Sequence, residues 1–134
     1  MNGEEIADLI RNRMEQANTA LDDAQFLFKG DRSPQSVVNR AYYAMFYAAL
    51  ALLQKVGKIP TKHTGVISLF DTEFALKGII PKELSKDFHK AFELRQVSDY
   101  KNSPPISTER ALDTLKKARH FVDTVRKHLE NAPL

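Results

Sequence analysis

The sequence predicts an all-α fold, an antiparallel up-and-down bundle of about five helices, and two observations carry that reading. Apolar residues recur at helical spacing along nearly the whole chain, and no segment shows the strict alternation of a half-buried strand. Gly, Pro and Ser gather in only three short stretches, residues 30–34, 56–61 and 101–107, with a softer break at 78–81. The periodic segments between them are therefore long and the connections short, which suits neighbouring helices that run up and down. At 134 residues the chain is close to the usual size of one domain, and residues 1–134 read as a single helical domain.

The first helix is expected over residues 4–29, with Ile6, Ile10, Met14, Ala17, Leu21, Ala24 and Phe28 on one stripe. Its opposite face is charged, as on an outer helix of a bundle. Ser33 is expected to cap the second helix, with Pro34 at the first position, where the missing amide hydrogen costs nothing. That helix runs to about residue 56 with Arg40 and Lys55 as its only charges, so it should be the central one. Arg40 then needs a carboxylate, a carbonyl or an anionic ligand, because an unpaired buried guanidinium costs about 3–5 kcal/mol.

Thr61 is expected to cap a third helix over residues 62–77, whose inward stripe is Val66, Ile67, Phe70 and Phe74 and begins at His63. A fourth helix over residues 81–100 buries Leu84, Phe88, Ala91 and Phe92, and the same spacing continues to Arg95 and Asp99. It must end before the consecutive prolines Pro104 and Pro105. Ser107 caps the fifth helix, which buries Leu112, Leu115, Ala118, Val122, Val125 and Leu129.

Composition narrows the function classes. Apolar residues make up 43% and charged residues 28%, as in ordinary soluble globular proteins. The absence of cysteine removes a disulfide framework, a thiolate metal site and a cysteine nucleophile, and fits the cytoplasm. Charges scattered through residues 4–15 interrupt any apolar run that a signal peptide needs. The longest apolar stretch, residues 41–53, suits a buried core helix and is too short to cross a bilayer, so no membrane partner is expected. The net charge of +3 is unevenly spread, −3 over residues 1–32 and +6 over the rest. A basic surface favours an anionic partner, while a normally solvated mixed-charge surface accounts for the same balance.

The polar residues set into apolar faces are the candidates for chemistry: Asn39, Arg40 and Tyr43 on the second helix, and Arg95, Asp99 and Tyr100 on the fourth. If these helices run antiparallel, the two groups converge. If a full-length third helix makes them parallel, the groups lie apart. Converged, they either form a network that fixes helix register or hold phosphate oxygens with two guanidiniums. Tyr42, Tyr43, Phe46 and Tyr47 read as core aromatics or as a base-stacking group. His63 reads as a core or capping residue that could also reach the site, whereas His89, His120 and His128 lie on mixed faces. The histidines have no metal-ligand spacing, and no phosphate-cradling glycine loop, serine triad or carboxylate pair is present, so no metal and no cofactor is called for.

Three ordered blocks carry a resemblance: Asn39-Arg-Ala-Tyr-Tyr-Ala-Met-Phe-Tyr-Ala-Ala-Leu-Ala-Leu-Leu53, then Lys62-His-Thr-Gly-Val66, then Glu93-Leu-Arg-Gln-Val-Ser-Asp-Tyr100. Together they resemble an uncharacterised prokaryotic branch of the HEPN superfamily. The resemblance implies a compact helical bundle, a homodimer, and work on nucleotides or RNA. Many HEPN proteins are metal-independent ribonucleases in toxin and antitoxin, defence and RNA-processing systems, and others are partners of minimal nucleotidyltransferases. The ribonucleases pair an arginine with a histidine shortly after it. Arg95 corresponds to that arginine, but Gln96 through Asn102 include no histidine. The resemblance therefore implies a nucleotide- or RNA-binding module acting with a nucleotidyltransferase. In it Arg40 and Arg95 engage phosphate, Asn39 and Asp99 orient them, and Tyr100 stacks or hydrogen-bonds. The alternatives are a ribonuclease in which Arg95 works with an unusual partner such as His63, and a purely structural dimer.

Overall fold

Local sequence signals set the helix boundaries seen in the computed structural model, which describes residues 2–98 and 104–131. Helix α1 spans Gly3–Lys29, and the Asn2 side chain accepts a hydrogen bond from the Glu5 amide at its start. Ser33 caps α2, Pro34–Lys55, by accepting from the Ser36 amide, and Pro34 opens the helix as expected. Ser107 likewise caps α5, Thr108–Asn131, through the Arg110 amide. Helix α4 covers Lys82–Ser98. Among the described residues there is no strand.

The third helix differs from its expected form. Helix α3 is only His63–Phe70, its N-cap is Lys62 rather than Thr61, and the Lys62 side chain makes no capping hydrogen bond. It passes into a π-helical turn, Asp71–Ala75, in which the Leu76 amide reaches back to the Asp71 carbonyl. The wider turn inserts one extra residue, so Phe74 and Ala75 both stay buried beside Phe70. The Ser85 hydroxyl donates to the Asp71 carboxylate and ties this turn to α4. Gly78, at φ 74°, then reverses the chain in a conformation that suits a residue without Cβ.

Helix α2 touches α1, α3, α4 and α5, and thirteen of its 22 residues are buried. The buried alanines at 41, 44, 48, 49 and 51 let neighbouring helices approach its backbone closely. On one side the rings of Phe70, Phe88 and Phe121 interlock with centroids 5.1–5.8 Å apart. Helix α1 packs on α2 and α5 from outside. Its stripe is buried only from Ala17 to Ala24, and Ile6, Ile10 and Met14 are half-buried, so the expected core face is shorter than the pattern. Leu112 and Leu129 of α5 and Phe92 of α4 also sit at the margin of the core.

Candidate functional site

The central helix cannot hide every large side chain at its mid-section, and the residues left at its surface form the site. Tyr42 is fully buried, whereas Asn39, Arg40, Tyr43, Phe46 and Tyr47 are half-buried. Arg40 donates from Nε and Nη2 to the Asn39 side-chain oxygen at 3.2 and 3.1 Å. Its guanidinium carbon lies 5.0 Å from the centroid of the Tyr43 ring. Among the described residues it has no carboxylate partner.

Arg95 of α4 reaches the same place, with its guanidinium carbon 5.2 Å from the ring centroids of both Tyr42 and Tyr43. Both arginines thus contact the one Tyr43 ring, so the groups on α2 and α4 share a neighbour. A cation over a tyrosine face is attracted to the ring, and a planar guanidinium can stack on it.

His63, the first residue of α3, closes the cluster. Its Nδ1 is 2.8 Å from the Tyr42 hydroxyl, and its ring stacks on Phe46 with centroids 4.4 Å apart. Burial holds the imidazole below its ordinary pKa of 6.5, and the Arg95 charge lowers it further. Burial pushes the Tyr42 hydroxyl well above the usual tyrosine range, with Arg95 opposing in part. Both groups are thus neutral near pH 7 and share one hydrogen. If Tyr42 donates it, His63 presents N–H at Nε2; if Nδ1 donates it, Nε2 presents a lone pair.

Asn39, Arg40, Tyr43, His63 and Arg95 are therefore neighbours, linked directly or through Tyr42. Asp99 and Tyr100 lie outside the described residues. His89 and His120 are exposed, but His128 is half-buried rather than on the open surface, and burial followed by the Lys55 charge lowers its pKa. Sequence reasoning missed Phe92 as a neighbour of Tyr42, at 5.8 Å, and missed a groove between α1 and α2 into which Arg40 opens. The available signal was a run of uncharged polar residues, Asn12, Gln16 and Thr19, on a helix face otherwise rich in charge.

A family model for the HEPN domain matches residues 10–128, which include all three helices of the cluster. The chain belongs to the HEPN domain family. A "UPF0332 protein" of Thermotoga maritima is 39% identical to this HEPN chain over 128 residues, covering 96% of this chain and 94% of the relative. A protein of Methanocaldococcus jannaschii named "Putative toxin" is 34% identical, covering 94% and 92%. A second protein of that organism with the same description is 32% identical, covering 87% and 78%. Among the described residues of this HEPN chain no helix is long and apolar enough to cross a membrane.

Proposed function

We propose that this chain is a toxin-like HEPN module that holds the phosphate of a nucleotide or of RNA with Arg40 and Arg95. It works as a homodimer with a separately encoded minimal nucleotidyltransferase, as one half of a toxin and antitoxin pair. The observation that carries the reading is the meeting of two guanidiniums at the one Tyr43 ring, each carbon about 5 Å from its centroid. Asn39 aims Arg40 through its side-chain oxygen. Two planar cations over an aromatic ring suit a phosphate that carries a stackable base. Asp99 orients the arginines in this reading and Tyr100 stacks or hydrogen-bonds. The two toxin-named relatives support the biological setting.

A second reading, a metal-independent ribonuclease, is favoured by the position of His63 beside Arg95. His63 replaces the histidine missing after Arg95 and takes the proton of the 2′-hydroxyl as its oxygen attacks the adjacent phosphorus. The P–O5′ bond breaks and the departing oxygen takes up a proton. This role requires the hydrogen of the Tyr42 bond to sit on Nδ1, leaving the Nε2 lone pair as the base.

One experiment separates the readings. Purified protein is incubated in EDTA with single-stranded and structured RNA, and binding and cleavage are followed for wild type, Arg40→Ala, Arg95→Ala and His63→Ala. Binding without cleavage, weakened at least tenfold in both arginine variants, is the result expected of a binding module. Cleavage abolished in Arg95→Ala and His63→Ala establishes the ribonuclease. Neither binding nor cleavage sinks both readings, and co-purification with a nucleotidyltransferase tests the partner.

A further inference from the structure

Arg40 faces two ways. Besides its contact with Tyr43, it lines a groove of about 640 Å3 between α1 and α2, together with Asn12, Gln16, Thr19 and Tyr47. Tyr47 continues the aromatic face from Tyr43, with ring centroids 6.0 Å apart. The arginine cluster and the groove are thus one continuous surface with Arg40 at the junction.

The two parts differ in chemistry. At Tyr43 two guanidiniums face one aromatic ring. In the groove, Arg13 and Arg40 are balanced by Glu15 and Asp23, so a second phosphate there would face two carboxylates. The remaining polar groups are amides and a hydroxyl, which donate and accept as the edges of a base and a ribose require. Arg13 Nη1 donates to the Gln16 side-chain oxygen at 2.9 Å, which fixes that amide and leaves its NH2 as a donor to the groove. The volume lies within the range of clefts that take small organic molecules, about 300–1,000 Å3.

We infer that the α1–α2 groove is the nucleoside subsite of this protein. A phosphate sits at Arg40 and Arg95, the attached base stacks on Tyr47, and Asn12, Gln16 and Thr19 read the edge of the base and its ribose. The inference rests on the phosphate-binding reading and names the rest of the ligand. It assigns specificity to α1, which carries none of the residues of the arginine cluster.

The test is amide chemical-shift mapping by NMR with two kinds of probe, inorganic phosphate and single-stranded RNA homotetranucleotides of each base. RNA is expected to shift residues 12–20 of α1 as well as the region around Tyr43, while phosphate shifts only the latter. The double variant Asn12→Ala, Gln16→Ala, altered at two exposed positions, is expected to bind the preferred tetranucleotide about tenfold less tightly. RNA shifts confined to α2 and α4, or undiminished affinity in the double variant, overturn the nucleoside subsite and leave the phosphate reading standing. Phosphate alone shifting residues 12–20 makes the groove an anion site and also overturns it. No response to either probe overturns both.

Discussion

At the scale of single residues, the Tyr42–His63 pair links the packed interior to the half-exposed cluster. Tyr42 is fully buried and the imidazole it bonds is not, so the bond fixes one ring relative to the other. Tyr42→Phe keeps the ring packing and removes the hydroxyl, and chemical unfolding should show a loss of about 0.5–1.5 kcal/mol. Burial is the first cause of the lowered His63 pKa and the Arg95 charge the second. Arg95→Ala should therefore move the His63 titration upward in an NMR experiment while leaving it below 6.5; an unchanged titration would show that the two groups do not sense one another. A histidine with a depressed native pKa binds protons less readily folded than unfolded. Stability should consequently be full above about pH 6.5 and fall as pH drops toward the native value, with His128 contributing in the same direction. Replacing both histidines by Asn should flatten that dependence.

Individual elements depend on their ends and on the few large side chains they commit to the core. Ser33 and Ser107 each satisfy an amide in the first turn of a long helix. Ser33→Ala and Ser107→Ala should each cost about 0.5–2 kcal/mol, read as a lower urea midpoint with an unchanged slope. Phe121 of α5 is wholly buried between Phe70 and Phe88, so Phe121→Ala opens a cavity and should cost about 3–5 kcal/mol in the same assay. A much smaller loss would mean that α5 settles into the space. The third helix shows the limit of periodic reasoning. Val66, Ile67, Phe70 and Phe74 are buried as their spacing implies, yet Phe74 reaches the core from a π-helical turn. A one-residue insertion leaves the apolar pattern readable and changes only the hydrogen-bond ladder, which composition does not record.

For the whole molecule, the bundle leaves the first turns of α1 and several large apolar side chains incompletely covered, with Phe26 77% and Leu76 63% exposed. The proposed homodimer should sediment at twice the 15.2 kDa chain mass, with a melting temperature that rises with protein concentration. A concentration-independent monomer would remove the dimer from the proposal. RNA binding through the arginine cluster should weaken steeply with added salt, because phosphate contacts release condensed counterions. Salt-independent binding would point away from phosphate.

The helix count, the central position of α2, the serine caps and most of the core followed from the sequence alone. These depend on interactions between residues close in the chain, where spacing translates directly into a face. The polar residues on those faces were visible too, so Asn39, Arg40, Tyr43, His63 and Arg95 could be named from their patterns. Their meeting at one tyrosine, the Tyr42–His63 bond and the groove that Arg40 shares with α1 were decided by the tertiary structure. Each depends on how α2 lies against α1, α3 and α4, and a short α3 and a full-length one carry the same apolar stripe while placing α4 differently.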